Sequence, residues 1–262
     1  MKPPQSWMSA HAEGGHSDLI QLERILPAGS CEMILLAADT SGKHGSIALA
    51  RVDDTDPANC SPHAVEILEV VPLAGGTFSA QLVPQIAALL GKHCLRVTDI
   101  GAFAAASGPG SFTGLRVGLA AIKALAEVLQ KPIAAVSLLE VVARSAKVRG
   151  RILAVLDAGR GEVYAGDYEL GDRVEMPSER LLSRDELLSE AGTRLLVTPH
   201  PQIAEAARKA GLSPVEIPEP RSDAIARFGW EKIQTGQTVS PEDLEANYIR
   251  RSDAEIFAKN SP

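Results

Sequence analysis

The feature that most constrains this fold is a pattern that starts twice. Ile34-Leu35-Leu36-Ala37-Ala38-Asp39-Thr40-Ser41-Gly42 is echoed by Ile152-Leu153-Ala154-Val155-Leu156-Asp157-Ala158-Gly159. Each is an apolar run that ends in Asp and a turn of small residues, as expected of a buried strand entering a tight hairpin. In the first half, Met33–Ala38, Ser46–Val52 and Val65–Val71 read as strands, and Thr77–His93 reads as a helix. A strand (Ile100–Ala106), a helix (Phe112–Gln130), a short strand (Ile133–Val136) and a helix (Leu138–Ala146) follow, in the order βββαβαβα. The second half repeats the second strand at Glu162–Tyr168 and the third at Arg173–Leu182. Shorter pieces at 184–190, 194–198 and 202–210 lead to a closing helix at Asp223–Thr235. Mixed elements imply α/β layers, and the restart implies a duplicated βββαβα architecture with two lobes. The expected division is an extension (1–32) and halves at 33–137 and 138–262, with Asp39 and Asp157 on the two walls of a cleft.

The connection Ser107-Gly108-Pro109-Gly110-Ser111-Phe112-Thr113-Gly114-Leu115-Arg116-Val117-Gly118 joins a buried strand to a helix. Its glycines are spaced GxGxxxG, one residue longer than the dinucleotide fingerprint, and no Lys follows as in a P-loop. Two readings stand: backbone N–H groups at Gly108 and Gly110 that cradle an anion, or a plain tight turn. Asp39-Thr40-Ser41 and Asp157-Ala158-Gly159-Arg160-Gly161 carry the same alternatives. Asp and Thr are good turn formers, but two Asp residues at equivalent points of a repeat also suit a ligand cleft.

The net charge of −7 argues against bulk electrostatic grip on nucleic acid. Arg144, Lys147, Arg149 and Arg151 crowd the join, either as a solvated run or as a phosphate-contact patch. Cys31, Cys60 and Cys94 show no paired spacing and read as free thiols in a reducing compartment. His44, His63, His93 and His200 are scattered, and His11 and His16 do not share a helical face. No HExxH or GxSxG motif is present, so no metal site or hydrolase elbow is expected. The amino terminus lacks the apolar centre of a signal peptide, and no apolar run reaches the roughly 18 to 20 residues of a membrane span. Residues 1–32 read as a loosely attached extension, with a short helix at Ser17–Leu26.

The two first-half helices are apolar on more than one face. In the first, Phe78, Leu82, Ile86 and Leu89 make one row and Val83, Ala87 and Leu90 another. In the second, Leu115, Leu119, Ile122, Ala126 and Leu129 make one row and Val117, Ala121, Ala124 and Val128 another. A helix lying on one sheet needs a single row, so the surplus is either deep burial or a face for a partner. Gly114, Gly118 and Ala121 would let a partner helix approach, and Pro84, which removes a backbone donor, should kink the first helix.

From Met33 onward the chain resembles the TsaB family, also called YeaZ. The likeness is carried by Ile34-Leu-Leu-Ala-Ala-Asp-Thr-Ser41, by Ser107–Leu119, by Pro132-Ile-Ala-Ala-Val-Ser-Leu-Leu-Glu140, by Leu156-Asp-Ala-Gly-Arg-Gly-Glu-Val-Tyr164 and by Pro241-Glu-Asp-Leu-Glu-Ala-Asn-Tyr-Ile-Arg250. The resemblance implies an actin-like, Hsp70-like (ASKHA) fold. It also implies a non-catalytic, cytoplasmic subunit that pairs with the transferase TsaD and works with the ATPase TsaE. Their product is the threonylcarbamoyl adenosine beside the anticodon of tRNA. The family implies a heterodimer, a homodimer when the subunit is alone, and tRNA contact only through the complex. It implies no required cofactor and at most weak or vestigial ATP or ADP binding at Asp39, Thr40, Ser41, Gly108, Gly110 and Asp157. The interface it suggests comprises Phe78, Leu82, Val83, Ile86, Gly114, Val117, Gly118 and Ala121. The catalytic relative carries a His-x-x-x-His helix after the strand corresponding to Pro132–Val136. Here that segment is Val136-Ser-Leu-Leu-Glu-Val-Val142, whose side chains offer no imidazole. Thr77-Phe-Ser-Ala-Gln-Leu-Val-Pro84 keeps the family's Leu and Pro but not its polar start. The alternative is a small-molecule kinase of the same fold, which would need a base and a nucleotide pocket in the cleft.

Overall fold

The computed structural model describes residues 32–53, 65–171 and 174–250. The expected extension, apart from Glu32, lies outside them, as do Cys31, Cys60, His11, His16 and His63.

The first sheet holds β1 (Glu32–Asp39), β2 (Gly45–Asp53), β3 (Val65–Leu73), β4 (Ile100–Gly108) and β5 (Ile133–Ser137), in the order β3-β2-β1-β4-β5. β1 pairs antiparallel with β2, with Leu36 opposite Leu49, and parallel with β4, with Ala37 opposite Ala104. The second sheet holds β6 (Gly150–Gly159), β7 (Glu162–Leu170), β8 (Val174–Ser183), β9 (Leu195–Thr198) and β10 (Val215–Glu216), in the order β10-β9-β6-β7-β8. β6 stands between antiparallel β7 and parallel β9 as β1 stands between β2 and β4. The two halves therefore share one topology, and the duplication expected from the restart is present. The strand β10 and a short 3-10 turn at Val97–Asp99 were not expected; two or three residues carry too little periodicity to reveal them.

Strand alternation splits the first sheet into two cores. Leu36, Ala38, Ile47, Leu49 and Phe103 face α1 (Phe78–Lys92) and α2 (Phe112–Leu129). Leu35, Ala37, Ala48 and Ala104 face the opposite way, toward α6 (Ser222–Gln234) and its buried Trp230. Gly229 lets that helix close in, because an added Cβ would strike Ala104. α3 (Leu138–Ser145) divides its side chains. Leu138 and Val141 join the α6 core, whereas Leu139, Val142 and Ala143 pack with Ile152 and Tyr168 of the second sheet. α4 (Arg184–Glu190) and α5 (Pro201–Lys209) supply Leu187, Ile203 and Ala207 to the second sheet's other face. Pro84 lies inside α1, which runs on through it as one helix.

Candidate functional site

The turn after β1 is stitched to the glycine connection. Asp39 Oδ1 accepts the Ser41 N–H at 2.9 Å and the Ser41 hydroxyl at 2.6 Å. The carbonyl of Ser41 accepts the N–H of Ser111 at 2.6 Å. Thr40 turns inward and donates its hydroxyl to the Gly114 carbonyl at 2.7 Å. Gly114 and Gly118 permit this contact, since a Cβ on either would collide with Thr40. Gly110 leaves equivalent room for Ser41, which a Cβ would meet at 2.5 Å. Ser111 caps α2 by accepting the Gly114 N–H at 3.3 Å. Asp39, Thr40 and Ser41 are all buried, and burial outweighs the Ser41 bonds to push the Asp39 carboxyl above its usual range.

The equivalent turn of the second half is looser. Asp157 Oδ1 accepts the Gly159 N–H at 3.1 Å, and Arg184 lies 3.8 Å away. Both turns face a cavity of about 1270 Å³, lined by Asp39, Ser41, Gly110, Asp157, His200 and Glu219 among others. Thr40 and Gly108 do not line it. Burial drives the His200 imidazole below its ordinary value, against the opposing pull of Asp157 and Glu219.

Several amides near the glycine connection and the two Asp turns have partners within the chain. The N–H groups of Ser41, Ser111, Gly114, Leu115 and Gly159 are each bonded within the chain, and Pro109 has none to give. Asp39, Asp157 and Glu219 add negative charge to the same cavity. Lys43 and Arg160 also line it, while Arg250 is bonded to the Ala158 carbonyl at 2.9 Å and to Glu162.

The helix faces divide sharply. Phe78, Leu82 and Ile86 belong to the chain's own core, with Leu82 only 1% exposed. Gly114 and Gly118 serve Thr40 rather than an incoming helix. These five are therefore not surface contacts, and the reason is the same for all: the sheet-facing side of each helix is covered by β strands and by the turn after β1. Val83 is 57% exposed, and Val117 and Ala121 are half-buried. The outward row continues through Pro84 and Ala87 on α1, and through Ala120, Ala124 and Val128 on α2, where Val128 is 81% exposed. Ala120, missed in the sequence, falls at the same i, i+4, i+8 spacing as Ala124 and Val128, which was the available signal. α1 and α2 pack against each other, so the two rows belong to neighbouring helices. At the amino-terminal end of α2 the Arg116 guanidinium lies 3.7 Å from the Phe112 ring centroid, and its Nε donates to the Tyr248 hydroxyl at 3.2 Å.

Two α/β halves of one topology, the first carrying a glycine turn without nucleotide-motif spacing between β4 and α2, define an actin-like duplicated fold. The family model described as TsaD, tRNA N6-adenosine threonylcarbamoyltransferase, matches residues 70–245. The tRNA threonylcarbamoyladenosine biosynthesis protein TsaB of Bacillus subtilis is 30% identical over 236 residues, covering 85% of this chain and 96% of the relative. The protein of the same name from Escherichia coli is 27% identical over 235 residues, with the same coverage. YeaZ from Pseudomonas aeruginosa superposes with a TM-score of 0.63 at 23% identity, covering 82% of this chain and 99% of that one, which shows the shared fold. The chain belongs to the TsaB family.

Proposed function

We propose that this chain acts in tRNA threonylcarbamoyladenosine biosynthesis as a non-catalytic, cytoplasmic subunit that binds a TsaD-type transferase through the outward face of α1 and α2. The ATPase TsaE joins the same assembly, tRNA is met only through it, and no cofactor is required of this subunit. The observation that carries the reading is apolar surface left outside the chain's own core: Val83, Pro84 and Ala87 on one helix, Ala120, Ala124 and Val128 on its neighbour. Rows of this kind at helical spacing favour association over solvent. One further feature supports a non-catalytic role. α3, where the transferase relative has its metal helix, has buried Leu138, Leu139, Val141 and Val142. Without the transferase, the same face suits a second copy of this chain.

The pair Val83→Glu and Ala124→Glu tests this. Each places a charge at an exposed position, so the fold and its melting temperature should hold. Burying those charges in a complex should weaken binding to the transferase at least ~10-fold, seen as lost co-elution in size-exclusion chromatography. Unchanged co-elution would remove the proposed interface. Leu82→Glu is the contrasting variant: it charges the core and should unfold the chain rather than act selectively on binding.

A further inference from the structure

The segment after α6 lends Asn247, Tyr248, Ile249 and Arg250 to the cavity lining, and its bonds reach both sheets. The N–H of Val239 donates to the Ile133 carbonyl at 2.9 Å on the edge of the first sheet. Leu244 is 1% exposed in the core beneath α1 and α2. The Asn247 N–H then donates to the Ser107 carbonyl at 2.7 Å, at the end of β4. Beyond that point the chain crosses. The Asn247 side-chain amide donates to Glu179 on β8 of the second sheet. Ile249 packs with the core of that sheet, and Arg250 donates to the Ala158 carbonyl and pairs with Glu162 across the β6–β7 turn. Tyr248, between these anchors, stacks on Phe112 with ring centroids 4.8 Å apart and accepts from Arg116.

Glu179 is the hub of this crossing. Besides Asn247, it accepts the Ser137 hydroxyl at 2.6 Å and the Tyr168 hydroxyl at 2.5 Å. Ser137 ends β5 and caps α3, accepting the Glu140 N–H. One carboxylate thus gathers donors from the first sheet's edge, from β7 and from the strap. A charged acceptor that takes three donors in a half-buried place is stiff, because each bond lost leaves a polar group without its partner.

We propose that residues 239–250 are a strap that fixes the second sheet against the first, with Asn247 and Glu179 as positioning residues, so that the cleft between the two Asp turns does not hinge. In two-lobed enzymes closure about a ligand assembles the site and excludes water. Here the bonds that closure and opening would break are made within the chain, and the subunit presents α1 and α2 on a body of constant shape. The proposal is independent of which partner the helices bind.

A polarity swap tests it in the full chain. Glu179→Gln turns the atom facing Asn247 into a donor, and Asn247→Asp turns its partner into an acceptor. Asn247→Asp alone sets two carboxylates face to face, whereas Glu179→Gln alone leaves two amides, and Asn247 can turn its amide over to keep a bond; together the substitutions restore one bond with its direction reversed. Amide exchange in residues 133–142, at the β5–α3 junction, should accelerate about tenfold in Asn247→Asp and return toward wild type in the double. Exchange in β9, away from the strap, should be unchanged in all three. Faster exchange confined to residues 245–250, or a double variant no better than the sum of the singles, overturns the strap. Should either single variant fail to fold, the double variant alone still decides: native exchange at residues 133–142 is expected of a strap, and its loss argues against one.

Discussion

The two Asp turns hold equivalent positions in the duplicated fold, yet they do different work. At Asp39 the carboxylate is buried, ties down Ser41, and through Ser41 and Thr40 grips the start of α2. At Asp157 the carboxylate is partly exposed, bonds one amide of its own hairpin, and stands near Arg184. The first turn is a structural lock between a strand and a helix 74 residues away. The second is a local hairpin that touches the cavity. A symmetrical nucleotide cleft would need both turns to keep amides free for phosphate. Their asymmetry shows that equivalent sequence in two halves does not preserve equivalent chemistry once one turn is built into the core.

Glycine substitution gives the largest expected contrast. Gly114→Ala drives a methyl group into the Thr40 carbonyl, backbone against backbone, where neither side can rotate away. A loss of about 3 kcal/mol of stability is expected. Gly159→Ala meets open space and carries only the strain of φ +73, about 1 kcal/mol. Denaturant unfolding of the two variants ranks them, and equal losses would erase the distinction drawn between the turns. Next in size is the Asp pair itself. Asp39→Ala strips the acceptor from a buried N–H and a buried hydroxyl, costing about 2–4 kcal/mol. Asp157→Ala removes one hairpin bond and a long ion pair near solvent, costing under about 1 kcal/mol.

Much of this arrangement was legible in the sequence, and the part that was not has a common cause. Strand β1 and the helices α1 and α2 could be placed within a residue or two, because apolar periodicity is local. The duplicated topology followed from Ile34–Gly42 and Ile152–Gly159. Which row of α2 faces outward did not follow, since Leu115–Leu119–Ile122 and Val117–Ala121–Ala124 are both apolar, and only the sheet decides between them. The purpose of Gly114 and Gly118 was hidden for the same reason: their partner, Thr40, lies far back in the chain. Glu179 and Asn247, 68 residues apart, carried no motif at all. Residues whose role is set by a distant partner leave no mark in nearby spacing.

The smallest and most specific contrast is in pH. Burial, with Glu219 adding to it, raises the Asp39 carboxyl above its unfolded value of 3.8, while the Ser41 bonds oppose the shift without cancelling it. An acid raised in the folded state binds its proton more tightly folded than unfolded. Its ionised form therefore weakens the fold above the folded value. That penalty is relieved as pH falls through the folded value, and it is gone below 3.8. Asp39→Asn keeps an oxygen that accepts from the N–H and hydroxyl of Ser41 but cannot ionise. Relative to this variant, the wild-type chain should gain stability as pH is lowered from neutral toward 4, while the variant follows only the background titration. Urea unfolding of both proteins at matched pH measures the difference. A gap that stays constant, or moves in favour of the variant on acidification, would mean that the Ser41 bonds hold the Asp39 charge as readily as water does, and that its burial does not set it apart.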